Sequence, residues 1–382
     1  MRAMVYKGPY RIRVEEKPEP RIEHPQDAIV RVVRSCICGS DLHLYHGLVP
    51  DTRVGQTFGH EFTGVVEEVG PDVKNLKKGD HVLVPFNISC GTCFFCRKGL
   101  FGSCHSSSPE SSLSGFFGYS HTTGGYDGGQ AEYVRVPFAD VSPMVIPKGI
   151  SEENAVLLTD VFPTGYQAAE MGEIKDGDTV VVFGAGPIGL LAAKCSWLLG
   201  AGRVIVVDNL DYRLEFAKKF ANAETVNFMH VDDIVVKLKK MTDYLGADVC
   251  IDAVGAEADG NALQTVLGIK LKLAGGAATA LQWAINSVRK GGHISLIGVY
   301  GPTPAMVPIG NLMIKGLTVR GSQANVRRYL PRLIEHIQAG RVDPSQIITH
   351  RVPLEEVSEA YHIFSSKKEN CIKTVLIPPK AA

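Results

Sequence analysis

The spacing of apolar positions changes character near the middle of this chain. Residues 28–34 and 64–70 are short runs rich in Val and Ile, each bounded by Gly, Pro or Asp, which is strand patterning. Pro18, Pro20 and Pro25 interrupt the early chain, and Lys78-Gly79-Asp80 forms a turn before a strand over 81–85. Short strands at such close spacing predict a compact, barrel-like β domain. From about Asp176 the rhythm differs. Apolar strands over 179–183, 203–207, 248–253 and 293–299 alternate with helical spacing over 187–200 and 210–220. Strands that are apolar on both faces and separated by helices predict a parallel, doubly wound α/β sheet. Residues 256–280, rich in Ala, Gly and Leu, are longer than a connection requires and read as an insertion. The tail predicts a helix over 329–338, a strand over 347–352, a helix over 355–364 and a last strand over 372–377.

Composition narrows the class. The 382 residues carry 40 Lys+Arg against 40 Asp+Glu, with 45% apolar and 21% charged residues, an ordinary globular balance. That length predicts two or three domains. A net charge of zero supplies no field for nucleic acid or an anionic membrane, so neither partner is expected. Residues 1–7 have no apolar core or cleavage site, so no secretory signal is expected. The low-charge stretch 179–193 contains three glycines and a proline and is too short to span a bilayer. Four of the nine cysteines fall within 90–104, which favours metal or redox chemistry over a disulfide framework, and a cytoplasmic location is expected.

Three groups of residues carry candidate chemistry. Gly184-Ala185-Gly186-Pro187-Ile188-Gly189 follows a predicted strand and opens a predicted helix. Gly184 permits a tight turn, Gly186 close approach to a pyrophosphate, and Gly189 helix-on-strand packing. Asp208 ends the next strand, where an acid receives a ribose 2′-hydroxyl and repels a 2′-phosphate, so NAD is expected over NADP. The bland alternative is a sheet-edge glycine turn with a surface Asp. The second group is Cys90, Cys93, Cys96 and Cys104, spaced for a closed tetrahedral zinc site, with an iron–sulfur cluster or two disulfides as rivals. The third is scattered: Cys38, His60 with Glu61, and Asp160. Singly these read equally well as a buried thiol, a satisfied histidine and a loop or cap residue.

Taken together, these residues make the chain resemble a zinc-dependent medium-chain alcohol dehydrogenase over essentially its full length. The matching motifs are Cys36-Ile37-Cys38-Gly39-Ser40-Asp41-Leu42-His43, Gly59-His60-Glu61, the four-Cys lobe, the glycine fingerprint and Thr349-His350. The stretches 128–134 and 160–166 resemble the formaldehyde-dehydrogenase-like branch. The resemblance implies a Rossmann doubly wound parallel sheet over 162–324. It also implies a β-rich, GroES-like catalytic domain over 1–161 that is rejoined by 325–382. It implies a catalytic zinc on Cys38, His60 and Asp160 with Glu61 beside it, a structural zinc on the four-Cys lobe, and NAD as the coenzyme. Three protein ligands leave a fourth place for substrate oxygen. Two anionic ligands cancel the ion's charge, so a zinc-bound alkoxide becomes accessible and can give hydride to the nicotinamide ring.

At the positions of Ser40 and His43 the family has a proton relay, and an unperturbed histidine suits a general base. His46 is a rival for that role. Arg213 resembles a basic contact to the adenosine ribose and Lys373 one to the pyrophosphate. Thr164 falls with the coenzyme contacts, together with Pro187 and Ile188. Phe86 corresponds to a pocket-lining aromatic, and residues 105–127, which include Phe116, Phe117 and Tyr119, are a distinctive candidate substrate-side loop. The implied activity is NAD-linked interconversion of an alcohol, or hydrated aldehyde, in a homo-oligomer, dimer or tetramer. Alternatives are a polyol or threonine-type dehydrogenase, and a formaldehyde dismutase holding NAD tightly. A non-catalytic zinc- and nucleotide-binding redox sensor is the alternative from another class.

Overall fold

The computed structural model describes residues 1–111, 113–255, 278–300 and 306–379. The chain divides into two compact units, Met1–Pro163 with Ala324–Ala382, and Thr164–Gln323.

In the first unit the strand Ala28–Ile37 is the hub. It pairs antiparallel with Phe62–Val69, with Tyr133–Val136 and with the returning strand Lys373–Ile377. The sheet continues through Ile348–Pro353 on one side and through His81–Val84 and Met144–Val145 on the other. Register shifts at Ile29/Val30 and Val32/Arg34 bend the hub strand, which lets a short-stranded sheet curl. One core gathers Val30, Phe62, Val82 and Phe117, and a second gathers Tyr6, Leu44, Phe58 and Tyr361. Several elements have no counterpart in the apolar pattern, among them the hairpin Arg2–Gly8/Arg11–Glu16, the strands Tyr133–Val136 and Met144–Val145, and the helices Gly39–Tyr45 and Glu152–Leu157. The helix Gly39–Tyr45 is about two turns long, too short to show a period.

In the second unit the sheet is parallel throughout. Its order is Glu224–Asn227, Arg203–Asp208, Thr179–Phe183, Ala247–Asp252, Val288–Leu296 and Thr318–Gly321. The chain runs outward from Thr179–Phe183 to one edge, then crosses back to build the other half. The glycine fingerprint therefore stands at the reversal of strand order, where open α/β sheets bind ligands. Val181, Phe183, Ile205, Val207, Leu238 and Ile294 form the core, as the doubly apolar strands predict.

Element limits differ mainly where glycines or arginines mask the pattern. Val288–Leu296 begins five residues before the apolar run, across Gly291 and Gly292, and Val326–Gln338 includes Arg327 and Arg328 ahead of Tyr329. Of the expected insertion, 256–277 lies outside the described residues, and 279–280 open the helix Thr279–Ser287. Among the described residues no helix is long and apolar enough to cross a membrane.

Candidate functional site

Cys38 stands where the hub strand gives way to the helix Gly39–Tyr45. Its backbone is extended (φ −104°, ψ 157°), and its N–H donates to Asp41 Oδ2 at 2.9 Å, the carboxylate reaching back from the first turn. Ser40 and His43 follow three positions apart on this helix, which makes them neighbours on its surface. His60 and Glu61 arrive just ahead of the strand Phe62–Val69. Gly59 makes this approach possible, since its φ is +94° and a Cβ there would lie 2.4 Å from Gln130 Cγ. Asp160 lies between the helices Glu152–Leu157 and Val161–Met171, and the Phe86 N–H holds that corner by donating to the Thr159 carbonyl at 3.1 Å.

These elements bring four buried side chains together. Ligand atoms of Cys38, His60, Glu61 and Asp160 all lie within 4.8 Å of one another. Cys38 Sγ is 3.7 Å from Asp160 Oδ2, and His60 Nε2 is 3.3 Å from the same oxygen. Tetrahedral zinc with sulfur at about 2.3 Å and nitrogen or oxygen at about 2.0–2.1 Å requires ligand separations of about 3.3–3.6 Å. The set therefore fits zinc in chemistry and in spacing. Burial lifts the Cys38 thiol above its ordinary range, and Glu61 and Asp160 add to this against His60. Burial alone would depress His60, yet Asp41, Cys38 and Asp160 raise it well above the usual histidine range. Glu61 is lifted by burial and by Asp160 against Lys373, and its Oε2 has no hydrogen-bond partner. Three acids and an orphaned oxygen closed around a histidine favour a cation among them.

Sequence reasoning assigned no role to what lies behind this cluster. Asp41 Oδ1 is 3.4 Å from His60 Nδ1, too poorly aligned for a hydrogen bond but close enough to orient the ring electrostatically. Asp41 Oδ2 accepts from Gln130 Nε2 at 3.4 Å, that amide also donates to the Cys36 carbonyl at 3.0 Å, and Gln130 Oε1 accepts from the Tyr361 hydroxyl at 2.9 Å. Asp41 and Gln130 lay inside quoted motifs, but only tertiary structure joins them to Tyr361. Ser40 Oγ is 3.5 Å from His60 Nε2, at the edge of the cluster. His46, the rival to His43, shares a 2.8 Å hydrogen bond with Ser365.

Lys373 requires a correction. The resemblance made it a pyrophosphate contact, but its side chain and that of Glu61 are both 0% exposed, with Nζ 2.5 Å from Glu61 Oε1 and 3.1 Å from the Ile37 carbonyl. The ammonium is committed to the acid beside the metal cluster. Burial works against its charge, but Glu61, with Cys36 and Cys38 beyond, more than reverses this and holds it protonated.

The four-Cys lobe is a second cluster. Its four Sγ atoms lie within 4.8 Å of one another, and Cys93 and Cys104 are 4.0 Å apart, close to the roughly 3.8 Å edge of a zinc–sulfur tetrahedron. No disulfide joins Cys90, Cys93, Cys96 or Cys104, so two disulfides are not what holds the lobe. The N–H groups of Thr92 and Cys93 donate to Cys90 Sγ at 3.4 and 3.3 Å, and that of Cys90 to Cys104 Sγ at 3.3 Å. Against burial, donors from Ser106, Thr92 and Cys93 bring Cys90 down to about 6. Amides directed at sulfur fit a metal–thiolate centre.

In the second unit, Gly184 has φ +95°, and a Cβ on Gly189 would come within 1.9 Å of the Gly184 carbonyl, so the loop closes only with glycine there. Gly186 caps the helix Pro187–Leu198, with Pro187 and Ile188 in its first turn. Asp208 ends its strand and ties the loop down, accepting from Ala185 N at 2.7 Å through Oδ2, and from Asn209 N and Leu210 N at 2.8 and 3.0 Å through Oδ1. Arg213 reaches across, its Nη1 3.8 Å from where a Gly186 Cβ would be. Thr164 is buried in the helix Val161–Met171.

A curled β unit with two metal-ready clusters, and a parallel sheet with a dinucleotide-type loop, define a zinc-type dehydrogenase. Comparison with known proteins agrees. Residues 24–148 match the alcohol dehydrogenase GroES-like domain and 187–274 the zinc-binding dehydrogenase family. The chain is 44% identical over 380 residues to the uncharacterised zinc-type alcohol dehydrogenase-like protein AdhB of Bacillus subtilis, covering 99% of this chain and 100% of that one. It is 33% identical to a glutathione-independent formaldehyde dehydrogenase of Pseudomonas aeruginosa, covering 96% and 95%. Alcohol dehydrogenase TADH from Thermus sp. ATN1 superposes with a TM-score of 0.86 at 36% identity, covering 99% of this chain and 100% of that one. The chain belongs to the zinc-type alcohol dehydrogenase family.

Proposed function

We propose that this oxidoreductase transfers hydride between an alcohol, or a hydrated aldehyde, and NAD, at a zinc held by Cys38, His60 and Asp160. The observation that carries the reading is the convergence of those three side chains, from three separate segments, at separations that zinc requires. Zinc held there supplies Lewis acidity that lowers the proton affinity of an alcohol oxygen. The chain's own residues then handle the proton. Ser40 Oγ, beside His60, receives it from the substrate oxygen, and His43, one helical turn on, passes it outward. Asp41 orients His60, and Glu61 stays beside the cluster on its Lys373 tether. The loop 184–189 receives the coenzyme pyrophosphate on its backbone N–H groups. Asp208, although it already accepts backbone donors, keeps lone pairs for a ribose 2′-hydroxyl, and Arg213 flanks the same loop. The four-Cys lobe takes a second, structural zinc. The working form is a homo-oligomer.

The Pseudomonas relative and the stretches 128–134 and 160–166 favour, as a second reading within this chemistry, a substrate as small as formaldehyde. NADH formation measured over primary, secondary and aromatic alcohols and formaldehyde tests both readings. Equal turnover with NADP overturns the coenzyme assignment, and no turnover with any of these substrates overturns the activity.

A further inference from the structure

The segment after the four-Cys lobe extends an aromatic strip that starts at the candidate zinc ligand His60 and runs through Phe86. The Phe86 ring meets the His60 ring edge-on at 5.7 Å, Phe116 meets Phe86 at 5.2 Å, and Tyr119 meets Phe116 at 6.4 Å, with interplanar angles of 68°, 62° and 65°. Such tilted contacts at 5–6.5 Å are attractive aromatic geometry. Phe117 turns the other way, fully buried and edge-on to Phe62, which anchors the segment to the core. Backbone bonds hold it further: Phe117 N to the Phe86 carbonyl at 3.3 Å, Phe116 N to the Thr123 carbonyl at 3.1 Å, and Gly118 N to the Tyr126 carbonyl at 3.0 Å. Gln56 Nε2 donates to the Tyr119 carbonyl, and Thr122 Oγ1 donates to Asp51 at 2.7 Å.

Tyr119 differs from the other two rings. It is half-buried where Phe86 and Phe116 are buried, and its hydroxyl has no hydrogen-bond partner among the described residues. Burial pushes its pKa up to about 12, and the charges of His60, Asp41, Cys38 and Asp51 all act on it. A phenol so placed is a neutral hydrogen-bond donor near the cluster, with an apolar strip between the two.

We infer that Tyr119 is a specificity-determining residue, which donates a hydrogen bond to a second oxygen on an aromatic primary alcohol whose ring lies along Phe86 and Phe116. This rests on the alcohol-oxidising reading above and adds a substrate class to it: arylmethanols with an oxygen substituent on the ring. A hydrogen bond inside an apolar site discriminates strongly, because the analogue that lacks its partner leaves a buried donor unpaired.

The test compares 3- and 4-methoxybenzyl alcohol with benzyl alcohol and formaldehyde, using parent, Tyr119→Phe and Phe116→Ala enzymes. We expect the parent to prefer a methoxy substrate about tenfold in kcat/KM, mainly through KM. Tyr119→Phe should remove that preference and leave benzyl alcohol within about twofold. Phe116→Ala should lower kcat/KM for all three aromatic substrates about tenfold and that for formaldehyde much less. A Tyr119→Phe enzyme that retains the preference, or that slows every substrate equally, overturns the inference and leaves the alcohol-oxidising reading intact. A parent enzyme inactive on all substrates overturns that reading itself.

Discussion

Replacing Lys373 by Met removes an ammonium from a place that water cannot refill. Both partners of the Lys373–Glu61 pair are fully buried, and the ammonium also binds the Ile37 carbonyl at 3.1 Å. Without it, Glu61 loses its direct counter-ion while Asp160 still repels it, and the Ile37 carbonyl loses a donor. Breaking a buried pair from one side costs about 3–5 kcal/mol, because the remaining charge is stranded. For a unit of this size each kcal/mol is worth about 2–4 °C, so Lys373→Met should lower the melting temperature by roughly 10 °C. The double variant Lys373→Met/Glu61→Gln removes the stranded charge and should recover about half of that loss, since an amide still lacks one partner there. Circular dichroism melts of parent, single and double variants on one zinc-loaded preparation measure this. A single variant within about 1 kcal/mol of the parent, or a double variant no more stable than the single, refutes the account.

Cys93→Ser should lower zinc content from two ions per chain to one and cost several kcal/mol of stability, while the soluble fraction still turns over; metal analysis that still finds two zinc ions contradicts the lobe assignment. Asp160→Ala should lower zinc at the other cluster and collapse turnover but leave NAD binding intact, whereas Asp160→Cys should be milder; zinc content and single-turnover NADH formation on both variants decide. Zinc loading should weaken at low pH. Cys38 and His60 are both held in their protonated forms to higher pH than usual, so each proton displaced on binding lowers apparent affinity about tenfold per pH unit below that group's raised pKa. Zinc titrations across pH 6–8 measure the slope, and a flat profile would show that no proton is displaced.

The regular part of the fold is legible because its signal repeats. The strands Thr179–Phe183, Arg203–Asp208 and Lys373–Ile377 lie within a residue of where their apolar runs place them, since each is buried along most of its length. The helix Gly39–Tyr45 is not legible, because seven residues carry no period and its start depends on a hydrogen bond from Cys38 N to the Asp41 side chain. The four-Cys lobe is local and announces itself by spacing. The other cluster draws Cys38, His60 and Asp160 from segments 22 and 100 positions apart, so no spacing rule joins them and only the family motifs did.

Lys373 shows where motif reasoning reaches its limit. A basic residue near the last strand suits a phosphate as well as an acid, and the sequence holds nothing that chooses between them. The choice is made by register. Thr374 pairs with Ile37 across the antiparallel ladder, which sets the Lys373 ammonium against the Ile37 carbonyl and against Glu61, the residue just before the strand on the hub's other side. The same ladder carries Cys38 at its end. One strand pairing therefore places both a candidate metal ligand and the counter-ion of the acid beside it, so a slip of one residue would misplace the two together. This is why the pair should tolerate neither partner's removal, and why Lys373, in the tail, belongs energetically to a cluster more than 200 positions earlier in the chain.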